Sequence, residues 1–70
     1  MKTPATPEDF KNWETRADAM SEYELWCGIL DSVQARDAAE EIGDAIGAGR
    51  YADEAGTYRR ELNKRRADLF

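Results

Sequence analysis

The chain has 70 residues and a net charge of −5, with no His and a single Cys. That allows one domain and excludes an intrachain disulfide, a Cys/His zinc site and the commonest general base near neutral pH. Only ten residues are Leu, Ile, Val or Phe, below the roughly 20% under which a charged chain lacks core-forming side chains.

Thr6-Pro7-Glu8-Asp9 reads as a helix start. Thr6 can accept from an open N–H, Pro7 suits the first helical position, and the acids favour the positive end of the dipole. Phe10, Trp13, Ala17 and Met20 follow at helical spacing, which predicts a first helix over 7–19. Residues 1–5 are expected to be disordered.

Ser21-Glu22-Tyr23-Glu24 is a capping box and predicts a second helix over 22–33. Tyr23, Trp26, Cys27, Leu30 and Val33 lie on one side, extended by Leu25 and Ile29. This is the most apolar stretch, so Trp26 and Cys27 are expected in the core. Ala38, Ala39, Ile42, Ala45 and Ile46 then mark a second apolar face, rotated by about 130° at the helical period. One straight helix cannot turn both faces to one core, which predicts a kink or turn between Val33 and Ala38.

A third helix is expected over 35–47, ended by Gly47-Ala48-Gly49, because glycine accepts the left-handed conformation of a C-terminal cap. A last helix, 51–68, places Tyr51, Ala55, Tyr58, Leu62 and Leu69 on one stripe. The expected fold is all-α: a single domain over 1–70, three to four short helices in a small bundle, with a helical hairpin closed at Gly47–Gly49. Gly49-Arg50-Tyr51-Ala52-Asp53-Glu54-Ala55, continuing to Leu62, resembles the turn and second helix of a tetratricopeptide repeat. The resemblance implies a hairpin packed through Ala45 and Ala55.

No motif carries catalysis, and no enzyme activity, cofactor or metal is expected. Glu40-Glu41-Ile42-Gly43-Asp44 resembles a fragment of the acidic helices of all-α nucleotide pyrophosphohydrolases. It lacks the second metal-binding helix, and a divalent site needs carboxylates converging from several elements. Ser21 and Ser32 read as caps.

Charge is unevenly spread. Residues 1–44 carry 11 acids and 4 bases, and residues 45–70 carry 4 acids and 6 bases. Glu14, Asp18 and Glu22 form one acidic row; Asp37, Glu40, Glu41 and Asp44 form another. Such rows are solvated faces or imitate a phosphate backbone, filling a basic groove that normally neutralises phosphates. Trp13 and Tyr23 are the candidate aromatic anchors. Arg59, Arg60, Lys64, Arg65 and Arg66 form a basic tail, suited to helix capping or to the acidic rows of a second copy. Direct nucleic-acid binding is disfavoured by the net charge.

No apolar run reaches 18 residues and no signal peptide opens the chain, so no membrane is expected and the cytoplasm of a bacterium or infected host cell is. In size and charge the whole chain resembles small phage-encoded antagonists of bacterial defence or regulation, including anti-CRISPR proteins. The resemblance implies a protein partner and inhibition by occlusion. A helical homodimer or adaptor, joined by acidic rows against the basic tail, is the alternative.

Overall fold

A computed structural model describes residues 3–67 as three helices: α1 (Pro7–Ala19), α2 (Glu22–Glu41) and α3 (Ala45–Ala67). Both capping boxes form. Thr6 Oγ1 accepts from the Asp9 N–H at 3.2 Å while Asp9 Oδ2 accepts from the Thr6 N–H at 2.9 Å. Ser21 and Glu24 repeat the arrangement at 3.1 and 2.9 Å, so both helix starts stand where the sequence puts them. Residues 3–5 have no regular structure, and Arg50 Nη1 donates to the carbonyls of Thr3 and Pro4 at 3.2 and 3.4 Å. The expected disorder at Met1 and Lys2, and the place of Leu69 on the last stripe, lie outside the described residues.

The kink expected between Val33 and Ala38 is absent. α2 continues unbroken through it. Nothing from Asp31 to Glu41 is Pro or Gly, and each added residue keeps a backbone hydrogen bond that a turn would forfeit. The conflict between the two apolar faces is resolved by exposure. Leu25, Ile29, Ser32 and Ala39 are buried, whereas Tyr23 is 77% exposed, Leu30 57% and Trp26 49%. Trp26 is therefore not a core residue, and Cys27 is half-buried.

The hairpin closes at Ile42–Asp44, earlier than Gly47–Gly49. Gly43 takes φ +78°, the left-handed region that a side chain disfavours. Its N–H donates to the Glu40 carbonyl at 3.1 Å, and the Asp44 N–H donates to that of Ala39 at 2.8 Å, the paired bonds of a Schellman ending. Asp44 Oδ1 then accepts from the Gly47 N–H at 2.9 Å and starts α3. Gly47 and Gly49 are consequently helical; the separate helix expected over 35–47 does not exist as such, and the last helix, expected over 51–68, begins six residues earlier, at Ala45.

α3 is the helix against which both others pack. The central cluster is Ala17, Leu25, Ile29, Tyr58 and Leu62, with Met20 and Val33 against it. A Cβ on Gly28 would stand 3.1 Å from the Tyr58 ring, so the missing side chain lets α2 and α3 approach. Ala55 is buried, as the hairpin resemblance implies, but Ala45 is exposed; Ala39 and Ala48 are the buried small residues nearest the turn. The Tyr58 hydroxyl donates to Glu54 Oε2 at 2.6 Å and accepts from Arg16 Nη1 at 3.3 Å, joining α1 to α3. Burial, then the Glu54 contact, pushes the Tyr58 phenol above its ordinary value.

The caps set an acid limit. The Thr6 backbone N–H and then Arg50 hold the Asp9 carboxyl below its ordinary value; the Ser21 backbone N–H does the same to Glu24. Carboxylates depressed by folding add stability that is present above their unfolded values and lost as pH falls through the folded ones. Helicity is thus expected to decline below the ordinary values of 4.5 for Glu24 and 3.8 for Asp9. An acid titration by circular dichroism should show a shallower decline in Asp9→Asn/Glu24→Gln.

Candidate protein-interaction surfaces

The acidic residues do not form one surface. Glu14 and Asp18, both exposed, line a groove between α1 and α3 that also holds Arg60 and Lys64. Glu22 pairs with Arg66 at 3.8 Å. This end of the molecule is charge-compensated. At the other end, Asp37 pairs with its neighbour Arg36 at 3.1 Å, and Asp44 is engaged as the α3 cap. Glu40 and Glu41 are left exposed in the last turn of α2, which holds no basic residue. Among the described residues, no group of three or more His, Cys, Asp or Glu is arranged to hold a metal ion, and Asp44 points into α3 rather than toward Glu40.

The basic tail also divides. Arg65 donates to Glu61 at 2.9 Å and to the carbonyls of Ala17 and Asp18 at 3.0 and 3.4 Å, so it ties down the end of α1. Arg60 donates to Thr57 Oγ1 at 3.3 Å. Arg66 lies over the Trp26 ring at 5.3 Å, while Arg59 and Lys64 are exposed.

Trp13 is 8% exposed, stacked edge-on against Phe10 at 5.3 Å and 6.0 Å from the Arg50 guanidinium. It holds α1 in place and is not an exposed anchor. Tyr23 keeps the exposure that role requires.

Two apolar surfaces emerge that the sequence reading assigned to the core. One is the α2 stripe of Tyr23, Trp26 and Leu30, flanked by half-buried Cys27 and Val33. The other is the α2–α3 corner, where Ile42 is 80% and Ile46 44% exposed beside Glu40 and Glu41. The rotation between the two apolar faces was the signal for both. Among the described residues no helix is long and apolar enough to cross a membrane. Comparison with known protein families, curated proteins and solved structures gives no match.

Proposed function

We propose that the chain is a non-enzymatic protein that binds and modulates a host protein by covering a basic, nucleic-acid-binding surface with its α2–α3 corner. One observation carries the reading. Among the described residues, Glu40 and Glu41 stand without an ion pair at the negative end of α2, where each acid costs about 0.3–1 kcal/mol, next to Ile42, the most exposed of the described large apolar side chains. A cationic partner with an apolar slot would relieve both. Glu14, Asp18 and Glu22 contribute less, because Arg60, Lys64 and Arg66 already offset them. The acidic character, the size and the resemblance to phage-encoded antagonists support the same reading.

The test is capture from nuclease-treated bacterial lysate, eluted with a salt ramp. One nucleic-acid-handling protein should be retained and released by moderate salt. Glu40→Lys/Glu41→Lys should abolish its capture while raising the melting temperature of the free protein, by about 4–8 °C for each kcal/mol gained. Retention unchanged by this double reversal would refute the corner as the contact.

A second reading, a self-associating assembly protein, is favoured by the α2 stripe, which is apolar and lies away from that corner.

A further inference from the structure

Tyr23, Trp26, Leu30 and Val33 are spaced by three, four and three residues, the a/d spacing of a helix seam. The spacing continues to Asp37 and Glu40, so the seam turns from apolar to acidic along its length. At its apolar end the side chain of Arg66 lies over Trp26 at 5.3 Å and beside Glu22. Trp26, Cys27, Ile29, Leu30 and Val33 line a shallow, almost wholly apolar groove on this face. α3 covers the opposite side of α2, and α1 packs on α3. Among the described residues, Tyr23, Trp26 and Leu30 therefore stay exposed on this face.

We propose that this face binds a second copy of the chain, with the two α2 helices antiparallel and crossing between Trp26 and Leu30. The inference deepens the self-association reading by assigning its surface and direction. Charge sets the direction. A parallel pairing would place Asp37, Glu40 and Glu41 against their own images. A two-fold axis between Trp26 and Leu30 instead carries Asp37 of one copy past Tyr23 of the other, to the end where Arg66 stands. Each end of the seam then joins an acid to a base, and each Trp26 meets the other copy's Leu30.

The area suits a concentration-dependent dimer. An aromatic side chain offers about 150–250 Å², and Tyr23 and Trp26 keep 77% and 49% exposure. With Leu30 and the flanking stems, two copies bury on the order of 1,000 Å², the lower end for a specific interface. This dimer would leave the Ile42 corners at its two far ends, both open to a partner.

Sedimentation velocity of the full chain, from low micromolar to near-millimolar, is the test. A reversible monomer–dimer equilibrium is expected. Leu30→Asp should remain monomeric throughout with an unchanged helical spectrum. Arg66→Glu and Asp37→Lys should each weaken the dimer about tenfold, two contacts being reversed in each case, and the double variant should return near the original affinity. A monomer at every concentration overturns the inference and the self-association reading together. It does so equally if Leu30→Asp instead abolishes capture of a host protein. A dimer indifferent to Leu30→Asp overturns the surface while self-association stands. A Leu30-dependent dimer in which the double variant is weaker than either single one overturns the antiparallel direction.

Discussion

Leu25→Ala is expected to cost about 2–5 kcal/mol, whereas Trp26→Ala, one residue further on, should change the stability of the monomer by about 1 kcal/mol or less. Leu25 is wholly buried, in one cluster with Ile29, Tyr58 and Leu62, so its truncation leaves a cavity between α2 and α3. Trp26 gives up contact with the Arg66 guanidinium and a half-exposed ring, both at the surface. A core in a chain this short rarely supplies more than about 3–5 kcal/mol. Leu25→Ala should therefore have lost much of its helical signal at 25 °C, before any denaturant is added. Urea unfolding at low micromolar concentration, followed by circular dichroism, separates the two. If Trp26→Ala were the more damaging, the buried face of α2 would be the one that the density of apolar residues suggests.

The inversion at these adjacent positions shows where sequence reading succeeds here and where it fails. The starts of α1 and α2 were legible because their chemistry is local. Thr6 with Asp9, and Ser21 with Glu24, satisfy each other within three residues whatever the rest of the chain does. The face of α1 was legible too, since Phe10, Trp13 and Ala17 form a single apolar stripe, with Trp13 and Ala17 buried. On α2 two apolar faces compete, and local spacing cannot say which one meets α3. The deciding contact is long-range: Gly28 admits the Tyr58 ring, and that close approach selects Leu25, Ile29 and Ser32 for burial. The candidate surfaces were hidden for the same reason. Trp26, Leu30 and Ile42 read as core until the packing partner is known, and the acidic rows read as continuous until the arginines opposite them are placed. The pair of Glu61 with Arg65 lies within one helical turn and is legible. The contacts of Arg65 with the end of α1 and of Arg66 with Glu22 and Trp26, forty or more residues away, could not be assigned from sequence neighbours.

The glycines give the second expected result, and here the sign decides. Gly43→Ala should destabilise the protein by about 1–2 kcal/mol, the cost of holding a side chain in the left-handed region. Its φ of +78° is the only positive value on a glycine among the described residues, and the Schellman bonds to Glu40 and Ala39 depend on it. Gly49→Ala should stabilise by about 0.5–1 kcal/mol. That position lies inside α3, and an added Cβ would meet nothing within 4 Å. Gly47→Ala belongs with Gly43, for a different cause. Its new Cβ would strike the Asp44 carboxylate and displace the cap from the Gly47 N–H, a loss of about 0.5–2 kcal/mol. Thermal unfolding of the three variants should therefore rank Gly49→Ala above the parent and both others below it. A turn at Gly47–Gly49 would require Gly49→Ala to destabilise and leave Gly43→Ala mildly favourable, as for any glycine within a helix. The melting order of these two variants thus locates the hairpin directly. It also fixes where Ile42 stands, because a turn four residues later would continue α2 through it and remove the corner proposed to meet the partner.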